Sequence, residues 1–146
     1  MTITDILAVY GALLATALAV WDFAKYAFER PRLRVTCYVG SMVTPGVGVT
    51  ARNLLVYNIA NTGGKPVVVT TVGGALRSGS YFMLVSQTVE LPVTLQPGES
   101  RLVHGPMPED IADVTKFIVH DGLGKEWKAT TKGVRRQLAA RAEKAT

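Results

Sequence analysis

Apolar residues crowd the start of the chain and alternate with polar ones over most of the rest. Residues 6–21, ILAVYGALLATALAVW, carry no charge, and Ile3 and Phe23 to Phe28 extend the apolar character in both directions. A bilayer core takes ~20 helical residues to cross. The pattern therefore predicts a membrane-spanning helix within an anchor segment 1–30. Asp5, Asp22 and Lys25 stand at its edges, where charged groups reach the headgroups. Trp21 and Tyr26 are ring types that favour the interface. Gly11, Ala15 and Ala19 recur every four residues and form a small-residue stripe, a candidate for packing against another helix.

Two rival readings compete for this segment. Ala17-Leu18-Ala19 resembles a signal-peptide cleavage site, which would remove residues 1–19, but MTITD lacks the positive charge such a peptide starts with. A core helix apolar on every side would need cover that the remaining chain is too short to supply.

From Pro31 the period changes to two. Leu33, Val35, Cys37 and Val39 share one face of a strand, with Arg34, Thr36 and Tyr38 on the other. Residues 40–50, GSMVTPGVGVT, read as a loose hairpin or loop. Strands are expected at Leu54 to Ala60, Val67 to Val72, Tyr81 to Val85, Val89 to Leu91, Val93 to Leu95, Ser100 to Val103, Lys116 to His120 and Glu126 to Thr131. Asn61-Thr62-Gly63-Gly64-Lys65-Pro66 is a turn whose Asn and Gly tolerate positive φ. Gly73-Gly74 marks a bulge or kink. Gln96-Pro97-Gly98-Glu99 and Asp121-Gly122-Leu123-Gly124 are further turns, and Pro108 opens a short helix ending near Asp113. Residues 134–145 are strong helix formers without a breaker. The prediction is a mainly β chain: an N-terminal transmembrane helix, an antiparallel β-sandwich over 31–133, and a short basic helix over 134–146.

Composition sharpens this layout. The chain has 146 residues, 18% of them charged, and a mean hydropathy of +0.22. The charged share is low for a globular domain, and the values exclude a disordered chain and a disulfide scaffold. The net charge of +5 is local. Residues 116–146 hold eight basic residues against three acidic ones, a surplus equal to that of the whole chain. Lys128, Lys132, Arg135, Arg136, Arg141 and Lys144 are the candidate basic contacts. They suit a solvated helix, anionic lipid or a partner. Nucleic acid is disfavoured, because no aromatic platform interleaves with them.

The same charges set an orientation. Lys25, Arg30, Arg32 and Arg34 flank the apolar segment on its C-terminal side, and the N-terminal side has no Lys or Arg. This places the sandwich in the cytoplasm and the N-terminus outside the inner membrane. The lone Cys37 suits a reducing compartment.

Catalytic chemistry is sparse. The chain has two histidines, His104 and His120, and one cysteine, and it contains no HExxH, CxxC, GxSxG or P-loop. His104, His120 and Cys37 fall on separate strands, so no metal site, cofactor or catalytic residue is expected. His120-Asp121 is the one acid–base pair in sequence, but strand neighbours point to opposite faces. Glu109, Asp110 and Asp113 suit a helix start.

Asn61…Gly64-Lys65-Pro66-Val67-Val68-Val69, followed by Leu95-Gln96-Pro97-Gly98-Glu99-Ser100, resembles the turn pattern of bacterial immunoglobulin-like or fibronectin-like sandwich modules. The likeness covers roughly 60–130, implies the fold, and carries no activity. Cys37 has no partner and Trp127 falls late, so the antibody type is excluded. The layout is also similar to small single-pass proteins of bacteria and their phages. The expected function is a non-catalytic docking or accessory subunit held at the membrane, binding a protein partner such as another membrane subunit. The alternatives are a phage or prophage envelope protein, such as a superinfection-exclusion factor, and a hydrolase using His120 and Asp121.

Overall fold

A capping box opens the first helix, α1 (Ile3–Phe28). The Thr2 hydroxyl accepts from the Asp5 N–H at 3.3 Å, and the Asp5 carboxylate accepts from the Thr2 N–H at 2.8 Å. Asp5 thus caps the helix on which it sits. Twenty-six residues at ~1.5 Å each give about 39 Å, enough to cross a ~30 Å hydrocarbon core. None of its residues is buried, so α1 is not a core helix. The Thr16 hydroxyl donates to the Ala12 carbonyl at 2.8 Å, which satisfies it within the helix.

The computed structural model describes residues 2–86, 89–131, 133–137 and 140. After α1 come eight strands among those residues: β1 (Leu33–Thr44), β2 (Gly48–Asn61), β3 (Val67–Leu76), β4 (Tyr81–Met83), β5 (Val93–Leu95), β6 (Ser100–Pro106), β7 (Val114–Asp121) and β8 (Glu126–Lys128). They form two antiparallel sheets. One runs β1-β2-β6; the other runs β4-β3-β7-β8, with β5 also pairing with β3. Apolar side chains from both sheets make one core. Leu33, Val35, Cys37 and Val39 are all buried there, the face that the period-2 pattern marked.

The centre of the core is aromatic. Tyr57 is fully buried, and its hydroxyl donates across the sandwich to the Gly73 carbonyl at 2.6 Å. Its ring meets Phe117 edge-on at 6.3 Å, and Phe117 meets Phe82 in the same way at 6.4 Å. Burial pushes the Cys37 thiol up to about 12 and holds the Tyr57 hydroxyl well above its ordinary range. A protonated, buried thiol is a poor nucleophile, so Cys37 packs as a small apolar residue.

Several predicted elements are corrected. Of the two readings of residues 40–50, the hairpin holds and the loop does not: β1 and β2 pair through them to Thr44↔Gly48. Residues 89–91 are not a strand. The helix expected after Pro108 is a single 3-10 turn at Ile111–Asp113. The last strand stops at Lys128, and the chain then switches sheets. The Ala129 N–H donates to the Phe117 carbonyl at 2.8 Å, whereas the Thr130 N–H donates to the Val35 carbonyl on β1 at 3.0 Å. A bulge at Gly73-Gly74 is also absent, because the register shifts of β3 against β7 fall at Val69/Thr71 and Ala75/Leu76. Gly73 and Gly74 instead give clearance. A Cβ on Gly73 would strike the Phe82 carbonyl oxygen, and one on Gly74 would lie 2.6 Å from the Phe82 ring.

The C-terminal segment begins as a helical turn at 133–137. Val134 is fully buried in the core cluster, and the Gln137 Oε1 accepts from the Val39 N–H at 2.9 Å. This turn covers the outer edge of β1, an unpaired edge being open to pairing with another chain. Residues 138, 139 and 141–146 of the expected helix lie outside the described residues.

Candidate functional site

The two sandwich turns that carried the resemblance lie side by side, joined by Asn61. Its side-chain amide donates to the carbonyls of Lys65 at 2.8 Å and Leu95 at 2.9 Å, and its Oδ1 accepts from the Gly63 N–H at 3.0 Å. Its backbone bonds reach Glu99 and Gly98. The turn also grips the link between α1 and β1: the N–H groups of Thr62 and Gly63 donate to the Arg32 carbonyl at 2.8 and 3.2 Å. Gly63 and Gly64 do not adopt positive φ. A Cβ on Gly63 would strike the backbone of Arg30 and Arg32, and one on Gly64 would lie 2.9 Å from the Glu29 Cα. Close approach requires these glycines, and it fixes the sandwich to the last turn of α1.

At the far end of β1 the core stops before the strands do. β6 pairs with β2 no further than Leu54↔Pro106, while β1 and β2 continue as a two-stranded ribbon to the 44–47 turn. From Gly40 to Thr44 that is about 13 Å of projection at ~3.3 Å per residue. Two register shifts, at Gly40/Met42 and Met42/Val43, re-aim it, and Asn53 sits at φ 60° beside the first. The Thr44 and Thr50 hydroxyls, 3.0 Å apart, tie its strands. Met42, Val43, Val47 and Val49 are exposed, and Arg52 is the one charged residue in 41–53. Sequence reasoning left a hairpin and a loop both open here because of the glycines, and did not mark the apolar surface. The alternation of Val47 and Val49 with Gly48 was the available signal.

The predicted contact residues are spread out. Gly11, Ala15 and Ala19 lie on exposed α1, and a Cβ on Gly11 would meet nothing within 4 Å. Lys128 on β8 and Arg135 and Arg136 in the C-terminal turn are exposed. Lys132, Arg141 and Lys144 lie outside the described residues. The C-terminal turn sits beside Cys37 to Val39, about 20 Å along β1 from its start near α1.

The His120–Asp121 pair is not assembled. His120 Nε2 lies 3.7 Å from a Glu126 carboxylate oxygen. Asp121 is buried and occupied: its carboxylate accepts from the N–H groups of Leu123 at 3.0 Å and Lys125 at 2.9 Å and from Trp127 Nε1 at 2.9 Å. Burial opposes its ionisation. The three bonds and the Lys125 charge outweigh that and hold the carboxyl below its ordinary range. Asp121 therefore organises a turn. His104 is half-buried on β6, and no group of metal-ligating side chains occurs among the described residues. No protein-family profile matches the chain, and no curated protein matches it in sequence.

Proposed function

We propose that this chain is a membrane-anchored, non-catalytic docking protein that offers its β1–β2 hairpin to an apolar surface of a partner protein, such as another membrane subunit. The observation that carries the reading is the projecting ribbon with Met42, Val43, Val47 and Val49 exposed on it. A two-stranded ribbon beyond its sheet is marginal in water, and exposed valines at its tip suit burial against a partner. α1 holds the sandwich at the bilayer, and its flanking basic residues support a cytoplasmic sandwich. The Gly11, Ala15 and Ala19 stripe offers a second contact, inside the membrane.

The test is co-purification of the full chain from its native membrane in mild detergent. A companion is expected at fixed stoichiometry. The double variant Val43→Asp/Val49→Asp is expected to hold it more than about tenfold less tightly, because charges replace apolar contacts at the tip. Its thermal unfolding should stay close to that of the parent, since both positions lie beyond the core. A monodisperse monomer with no companion contradicts the reading.

A further inference from the structure

The end of the sandwich next to α1 is apolar at its tip and basic around it. Leu123 is 91% exposed, the highest value for any large apolar residue among those described. Its turn is built to present it, because the buried Asp121 carboxylate holds both the Leu123 and Lys125 N–H groups. The Gly122 N–H donates to the Val68 carbonyl at 2.8 Å, pinning the turn to β3. Between Leu123 and the α1 junction runs a mostly apolar groove of about 530 Å³, lined by Pro31, Pro66 and Val68 among others, with Lys65 on its wall. Arg30, Arg32 and Lys125 are exposed nearby in the chain. The neighbouring acids are engaged: Asp121 as above, and Glu29 with Lys25 at 3.9 Å. Lys125 balances Asp121 and lies over the Trp127 ring at 4.1 Å, so Lys65, Arg30 and Arg32 make the rim cationic.

We propose that this rim rests on the surface of an anionic phospholipid bilayer, with Leu123 inserted at the headgroup–acyl boundary and Lys65 and Arg32 against lipid phosphates. The proposal rests on the reading that α1 spans that bilayer. The occupant follows from position: Pro31, in the groove wall, directly follows the α1 junction, and Gly63 and Gly64 pack against residues 28–32. Whatever surface α1 emerges from is the nearest surface to the groove. Each cation near an anionic leaflet adds attraction, and an apolar tip beside cations matches the interface in both chemistries. The sandwich is then seated on the membrane, which fixes how the hairpin at its other end is presented.

Single-cysteine variants of the full chain test this. Ala15→Cys, Val47→Cys and Leu123→Cys each carry a bimane label, and the buried Cys37 stays unlabelled. The protein is reconstituted into vesicles of phosphatidylcholine, alone or mixed equally with phosphatidylglycerol, containing lipids brominated on the acyl chain. The label at 15 is expected to lose most of its emission in both vesicles, and the label at 47 to keep it. The label at 123 is expected to be quenched more strongly in the anionic vesicles, and Lys65→Glu should weaken that quenching. Quenching at 15 without quenching at 123 overturns the proposal and leaves the anchor standing. No quenching at 15 overturns the anchor itself.

Discussion

Replacing Asn61 with Ala is expected to cost the sandwich about 3 kcal/mol, a large share of the ~5–15 kcal/mol that stabilises a domain. The side chain is 1% exposed. Removing it strips the buried Leu95 carbonyl and the part-buried Lys65 carbonyl of their donor, and leaves the Gly63 N–H with the Arg32 carbonyl alone. Each orphaned buried group costs ~1–3 kcal/mol. Asn61→Asp separates shape from hydrogen bonding. The two side chains are nearly isosteric, yet the carboxylate would point an oxygen at two carbonyl oxygens in place of an NH₂. It is therefore expected to be worse than Ala. Thermal unfolding of the full chain in detergent, followed by circular dichroism, ranks the two. Equal stability of Asn61→Asp and the parent would show that the amide donors are not what joins the two turns.

Gly73→Ala is expected to be at least as damaging. Its Cβ would collide with the Phe82 carbonyl oxygen and lie 3.0 and 3.1 Å from the Phe82 carbonyl carbon and the Met83 Cα. These are backbone atoms of β4, so no rotamer change relieves the clash and the strand must move. Overpacking costs ~1–3 kcal/mol when side chains can yield, and more is expected here. Moving β4 also disturbs Phe82 against Phe117, and shifting Gly73 weakens the hydrogen bond from Tyr57. Gly79→Ala, in the turn just before β4, is the comparison. There a Cβ meets nothing within 4 Å, so its cost comes from its φ of +87° alone. Gly79→Ala is expected to unfold at a higher temperature than Gly73→Ala, and the reverse order would refute the close-approach explanation.

Much of the fold was legible in the sequence because two periods dominate it. An uninterrupted apolar run gave α1, and strict alternation at Leu33, Val35, Cys37 and Val39 gave the buried face of β1. Turn chemistry placed Asn61 to Pro66 and Gln96 to Glu99 correctly, although the reason offered for Gly63 and Gly64 was wrong. Positive φ is a local property that glycine suggests at once. Clearance for a distant backbone depends on tertiary packing, which local pattern does not encode. The same limit hid the role of Gly73-Gly74. It also left residues 40–50 undecided between a hairpin and a loop, since both share glycine and threonine, and pairing is settled by the partner strand. Asp121 was legible as the first residue of a turn and as a neighbour of His120, but not as the buried acceptor that organises that turn. Its bond to Trp127 connects the turn to β8, and the five intervening residues gave no sign of it. Val134 and Gln137 read as ordinary helix residues, yet they dock the C-terminal turn on β1.

Thiol labelling at a new site tests whether an apolar helix holds a cytoplasmic sandwich at the membrane. Native Cys37 cannot serve, being buried with its thiol pushed up to about 12. Ser78→Cys puts an exposed thiol on the turn between β3 and β4. Cells carrying this variant of the full chain are treated with a membrane-impermeant maleimide before and after permeabilisation, and their membranes are washed with alkaline carbonate. The chain is expected to stay in the membrane pellet and to be labelled only after permeabilisation. Labelling in intact cells, or release into the alkaline wash, would contradict this arrangement.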